Sequence, residues 1–308
     1  MPKNQSGLFV SMIASLMVFA GCSANQKDTV AQREAGSQAQ EVAKAIDFDE
    51  VQWYAKRASA AYNTEAEIRA AFPDTVRVVQ VGNTRVQYFL EQDDGNKLQV
   101  ISVRGTANLK NIKEDVEYTQ SKNEKLDIYL HKGFDEDAYK IYNDILPHLR
   151  KDYSIRLTGH SLGAAIAAIL MIYLHEDGFE VQKMINFGQP KFTNNKGVQR
   201  YHTLPLTRIV NENDVVPLLP PVTLLSALHG RYTHMGDETI LLKGIAYVYL
   251  EQHQVDSQKV EGFWDNIDHE SVQEHFIANY LKNIGSKLMT ALQVPFAERE
   301  VYLNQHGD

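Results

Sequence analysis

Apolar residues recur at spacings of three and four between residues 48 and 62 (Val51, Tyr54, Ala55, Ala58, Tyr62), a period that predicts an amphipathic helix with these aromatics in the core. A second short helix, over 65–72, stops before Pro73. Three strand-like runs follow at 75–81, 85–91 and 98–103, and Asp93-Asp94-Gly95-Asn96 reads as the hairpin turn between the last two. Beyond them lie an apolar run at 126–130, a helical run at 135–150 bent near Pro147, and strands at 153–157, 182–187 and 207–210. The alternation of strands and helices after residue 98 predicts an α/β domain, its central, mostly parallel sheet flanked by helices. In such sheets reactive groups gather at the carboxyl ends of the strands. Arg104, Ser161, Gly188 and Asp214 all follow predicted strands and are expected on one rim.

The stretch 153–173 carries the densest information. A short strand meets Gly159-His160-Ser161-Leu162-Gly163, and an Ala-rich helix follows with small residues at Ala164, Ala165, Ala167 and Ala168. A serine on a tight strand-to-helix turn needs neighbours without bulk two residues before and after it. The helix that starts beneath Ser161 directs its free N–H groups and positive dipole end toward any negative charge formed there. Gly-x-Ser-x-Gly arises by chance in roughly one chain in ten of this length, so the strand before and the helix after carry the reading. His160 reads as a packing or turn residue, and His131 as structural.

The 308 residues and 44% hydrophobic content fit a globular fold with a sizeable core, and a net charge of −8 without a basic run argues against nucleic acid as a partner. The N-terminus stands apart. Lys3 precedes an apolar stretch from Leu8 to Ala20, and Cys22, the chain's only cysteine, follows Val-Phe-Ala-Gly. This resembles a bacterial lipoprotein signal, with Phe19 where that pattern carries Leu, Val or Ile. The resemblance implies cleavage before Cys22 and its lipidation; Ser23, where an Asp would favour the inner membrane, implies outer-membrane sorting. An ordinary secretory signal, giving a secreted or periplasmic protein, is the alternative. The expected division is a signal peptide at 1–21, a disordered tether at 22–46 rich in Gln, Ala and charge, and one domain at 47–308, a monomer.

Several blocks, in order, resemble the class 3, fungal-lipase-like α/β-hydrolases: Val-Arg-Gly-Thr (103–106), His-Lys-Gly-Phe (131–134), Gly-His-Ser-Leu-Gly-Ala-Ala (159–165), Asn-Phe-Gly-Gln-Pro (186–190), Arg-Ile-Val-Asn-Glu-Asn-Asp-Val-Val-Pro (208–217), Tyr-Thr-His-Met-Gly (232–236) and His-Phe-Ile-Ala-Asn-Tyr (275–280). The resemblance runs over about 51–280 and implies the α/β-hydrolase fold. A serine hydroxyl needs an imidazole to take its proton and a carboxylate to orient that imidazole, and in this fold the order is Ser, then acid, then His. Ser161 is thus the expected nucleophile and Asp214 the acid, with Glu212 as competitor. His275 matches the late family block as base, with His269 the runner-up; His229 and His234 are expected to flank the site. The resemblance also implies an oxyanion hole made by Thr106 and the Leu162 N–H. It places a lid at 107–112, where Ile112 stands in place of the Trp of many relatives.

The expected activity is a serine carboxylester hydrolase acting on fatty-acyl esters, acylglycerols foremost, through an acyl-enzyme. Phospholipase A1-type and short-chain esterase activity, a peptidase or thioesterase on the same fold, and a non-catalytic binding module are the alternatives. The apolar loop at 215–228 either lines an acyl groove or covers the core. No cofactor is expected, and no two histidines show the His-Glu-x-x-His spacing of a zinc site.

Overall fold

The computed structural model describes residues 46–81, 86–105, 119–220, 230–255 and 273–303, all within the unit Ala45–Asp308. The signal segment, Cys22, nearly all of the tether, Thr106, the expected lid, His229, His269 and most of the 215–228 loop lie outside the described residues.

Helix α1 (Phe48–Ala60) starts where the Asp47 side chain accepts the N–H groups of Asp49 and Glu50, and it buries Phe48, Val51, Tyr54, Ala55 and Ala58. It ends two residues short of the expected Tyr62, because Thr64 and Glu67 form a reciprocal capping box that opens α2 (Glu65–Ala71). Tyr62 therefore sits in the turn between the helices. Strands β1 (Thr75–Gln80), β2 (Gln87–Asp93) and β3 (Leu98–Val103) form an antiparallel meander. Two short strands, β4 (Gln120–Asn123) and β5 (Ile128–His131), lead to α3 (Lys132–Ile145).

Helix α3 differs from the expected 135–150 at both ends. The His131 ring nitrogen Nδ1 accepts the Phe134 N–H at 3.3 Å and begins the helix early. Pro147 sits in a separate 3₁₀ turn, Leu146–His148, since its ring cannot supply the N–H that a continuing helix needs.

Strand β6 (Ser154–His160) runs three residues past the expected end. Gly159 and His160 stay extended and pair with Asn186 and Phe187 of β7 (Val181–Phe187). Helix α4 (Leu162–Glu176) is buried along almost its whole length, as suits a helix that is apolar on all sides. The rest of the described chain adds β8 (Thr193–Asn194), α5 (Asn195–Tyr201), β9 (Leu206–Asn211), β10 (Tyr232–Thr233), β11 (Asp237–Leu241), β12 (Ala246–Leu250), α6 (Gln252–Val255), α7 (Ile277–Gly285), β13 (Leu292–Gln293) and α8 (Arg299–Leu303).

Nine strands make the main sheet, ordered β1-β2-β3-β6-β7-β9-β11-β12-β13. Its centre, β3 to β11, is parallel; the pairs β1–β2, β2–β3 and β11–β12 are antiparallel, and β13 pairs parallel with β12. Alternation along β7 divides the core into two layers. Met184 joins Leu157, Ile169 and Ile141 under α3 and α4, while Ile185 and Phe187 join Tyr54, Ala58, Tyr280 and Ile284 under α1 and α7. The second sheet, β10-β8-β5-β4, is antiparallel. Among the described residues, no helix is long and apolar enough to cross a membrane.

Candidate active site

The parallel centre of the sheet brings the ends of β3, β6, β7 and β9 to one rim. Ser161 follows β6 directly and adopts φ 59°, ψ −135°, a region that residues with a side chain seldom occupy. Its N–H bonds to Phe187 O at 2.9 Å, and Ala164 N–H bonds back to Ser161 O at 2.9 Å. The flanking glycines make the turn sterically feasible. A Cβ on Gly159 would lie 2.5 Å from Gly163 O, and one on Gly163 would lie 2.5 Å from Val103 O and from Arg104 C. Helix α4 can therefore start directly against the end of β3. Leu162 is its first residue, so its N–H has no intrahelical acceptor.

Asp214 follows β9, in a turn closed by Asp214 N–H to Asn211 O at 3.0 Å. Its carboxylate is buried and accepts three hydrogen bonds. Val216 N–H donates to Oδ1 at 2.9 Å; His275 Nδ1 lies 2.7 Å from Oδ2; the Tyr280 hydroxyl donates to the same Oδ2 at 2.5 Å. A carboxylate so supplied holds His275 with the proton on Nδ1, leaving Nε2 with its lone pair. Burial and the adjacent Asp214 charge hold the Tyr280 phenol well above its ordinary range, so Tyr280 remains the donor. Glu212, the competing acid, is engaged elsewhere, with Arg299 at 3.5 Å, and burial raises its carboxyl.

The Asp214–His275 pair rests on Gly188. At φ +57° this residue presents bare backbone to the pair, and a Cβ there would lie 2.8 Å from His275 Cε1 and 2.9 Å from both His275 Nδ1 and Asp214 Oδ2. The segment carrying His275 is tied to the sheet by Asn211, whose Nδ2 donates to Glu274 O at 2.9 Å and whose Oδ1 accepts from Asn283 Nδ2 at 3.1 Å. On the nucleophile side, Asn186 Nδ2 donates to Ala164 O and to Gln189 Oε1, both at 2.7 Å.

Ser161 Oγ and His275 Nε2 are both buried and have no hydrogen-bond partner among the described residues. They are the two atoms that proton transfer from the serine would join. The His275 ring packs on His160, the residue before Ser161, with centroids 4.7 Å apart. The structure thus brings Ser161, Leu162, Asp214 and His275 to one place. His234 lies buried with Arg208 and Lys191 as its charged neighbours, and burial keeps it neutral. Local sequence gives no sign of the bonds made by Tyr62, which its period puts on a helix face, or by His160. Gly188 was placed on the rim without a task, and Tyr280 entered only as the end of a family block.

A parallel sheet with a glycine-flanked serine elbow at its rim is the frame of the α/β-hydrolases. A triacylglycerol lipase whose catalytic centre is a serine-protease triad superposes with a TM-score of 0.60, covering 76% of this chain and 94% of its own at 20% identity. Within that class, residues 100–224 match the model of the family Lipase (class 3). A lipase of Rhizomucor miehei is 27% identical over 159 residues, 47% of this chain and 42% of its own length. The secreted mono- and diacylglycerol lipase 1 of Fusarium solani is 27% identical over 148 residues, 45% and 44% respectively. The match thus spans less than half the length of either relative.

Proposed function

We propose that the chain is a serine carboxylester hydrolase that cleaves fatty-acyl esters, acylglycerols foremost. The observation that carries the reading is the serine at φ 59° beside an imidazole whose Nδ1 is committed to a buried carboxylate at 2.7 Å. A serine in an ordinary loop has no need of that strain, and a histidine in a core has no need of that partner.

In the proposed reaction His275 Nε2 takes the Ser161 Oγ proton as Oγ attacks the ester carbonyl. Asp214, with three donors already satisfied, balances the imidazolium without itself taking the proton. The tetrahedral oxyanion is received by the Leu162 N–H at the positive end of α4 and, on the family pattern, by Thr106. His275 then protonates the departing alcohol. Water, deprotonated by the same nitrogen, releases the fatty acid and restores Ser161. Acylglycerols lead as substrates because the Fusarium relative is named for mono- and diacylglycerols. Attachment to a membrane through lipidated Cys22, in the outer membrane, follows from the N-terminal sequence and completes the reading.

Labelling with a fluorophosphonate, followed by peptide mapping, tests the chemistry. Modification confined to Ser161 and abolished in Ser161→Ala is expected. Folded protein that resists the probe and hydrolyses none of the acylglycerols, phospholipids or graded p-nitrophenyl esters would refute it. Carbonate extraction tests the anchor: Cys22→Ser should leave the membrane fraction, and its retention there would count against lipidation.

A further inference from the structure

The residue before the nucleophile makes contacts that packing alone does not require. His160 is buried to 1% exposure. Its Nε2 lies 2.7 Å from the main-chain carbonyl of His275, and its Nδ1 lies 2.8 Å from the Tyr62 hydroxyl. The directions of these bonds follow from chemistry. A carbonyl oxygen only accepts, so Nε2 carries the proton; in a neutral ring Nδ1 then accepts, so the Tyr62 hydroxyl donates. The Tyr62 hydroxyl is held there by close packing against the Gly105 backbone. Gly105 is packed so closely here that a Cβ would fall 2.6 Å from Tyr62 Oη, 2.5 Å from His160 O and 3.0 Å from Ser161 Cβ.

We propose that Tyr62 and His160 are positioning residues for the esterase reading given above. A buried hydrogen-bond chain, Tyr62 hydroxyl to His160 to the carbonyl of His275, sets the backbone of the base against the nucleophile turn. It joins three segments remote in sequence: the turn after α1, the elbow and the loop before α7. Asp214 and Tyr280 fix the His275 ring from one side, while His160 fixes its main chain and stacks on its ring from the other. The chain works only with a neutral His160. Burial, reinforced by the adjacent His275, keeps that imidazole from protonating. A second proton on His160 would remove the acceptor for Tyr62.

Two measurements on the full chain test the proposal. The first needs no turnover. Nitrogen-15 spectra of histidine-labelled protein, with His160 assigned by its loss in His160→Gln, should show a neutral ring protonated at Nε2 near pH 7. A ring protonated at Nδ1, or an imidazolium, would overturn the assignment. The second is kinetic. Tyr62→Phe should lower kcat by about 10- to 100-fold, the penalty for a small displacement of a reacting group, with KM and thermal midpoint nearly unchanged. His160→Gln, which keeps an N–H donor for the His275 carbonyl, should recover much of the activity that His160→Leu loses. Wild-type kcat in Tyr62→Phe, or equal rates in folded His160→Gln and His160→Leu, would refute the positioning role. If the wild-type protein neither hydrolysed esters nor reacted with the fluorophosphonate, the esterase reading would fail, while the spectra would still decide the hydrogen-bond chain.

Discussion

Gly188→Ala is the sharpest perturbation this site offers. A methyl group there would meet His275 Cε1 at 2.8 Å and Asp214 Oδ2 at 2.9 Å, whereas carbon atoms in comfortable contact stand about 3.5–4.0 Å apart. The pair or the Gly188 backbone must give by about 0.7 Å or more. Displacement of that order at a reacting group costs about 100-fold in rate, equivalent to about 2.7 kcal/mol of barrier. The positive φ adds a separate penalty of about 1–2 kcal/mol to folding. Gly178 supplies the control: its φ is +74°, yet nothing lies within 4 Å of a Cβ placed there. Gly178→Ala should pay the backbone penalty alone. The assay pairs kcat/KM on a p-nitrophenyl ester with urea unfolding for both variants. Similar destabilisation with a large loss of activity only in Gly188→Ala is expected. If Gly188→Ala keeps kcat/KM within about twofold of wild type, the view that bare backbone at 188 supports the acid–base pair is wrong.

Tyr280→Phe removes one of two donors to Asp214 Oδ2; a hydrogen bond to a charged group contributes about 1.5–3 kcal/mol, so urea unfolding should report a loss in that range, and unchanged stability would refute it. Burial holds His131, His160 and His234 below their ordinary range, His131 at about 4. As pH falls below about 6.5 the unfolded chain binds protons that the folded one refuses, so stability drops by about 1.4 kcal/mol per pH unit for each histidine. His131→Asn keeps an acceptor at the start of α3 and should make the pH dependence shallower by one such increment between pH 6 and 4.5; an unaltered slope would refute the assignment. Arg208 is fully buried with Glu238 Oε1 at 3.2 Å. Glu238→Ala should cost about 3–5 kcal/mol by stranding the guanidinium, measured by the same denaturation, and a loss under about 1 kcal/mol would show the charge to be compensated otherwise.

What was legible in the chain was what local chemistry decides. The glycines at 159 and 163, the Ala-rich start of α4 and the alternating strands each carry their reason within a few residues. Elements set by distant partners were not legible. Strands β8, β10 and β13 are two residues long, too short for any period, and exist because a neighbouring strand pairs with them. The same limit hid the bonds of the site. The spacing of Val51, Tyr54, Ala58 and Tyr62 made Tyr62 one more core aromatic, because a period registers which way a side chain faces and not where its hydroxyl ends. Helix α3 began at Lys132 because an imidazole caps it, outside the usual set of capping side chains. For His275, 61 residues beyond Asp214, family pattern supplied the candidate, and only three-dimensional packing set its distance from the carboxylate.

The Asn211 amide grips the chain on both sides of His275, at Glu274 and at Asn283, and the Lys287 ammonium clasps Leu242 O and Gly244 O, each at 2.8 Å. These clasps join the last part of the chain to the ends of β9 and β11 without reference to the length of polypeptide in between. The register of His275 to the Asp214 carboxylate is thereby set by anchors at Asn211 and Lys287, whatever the length of chain between residues 255 and 273.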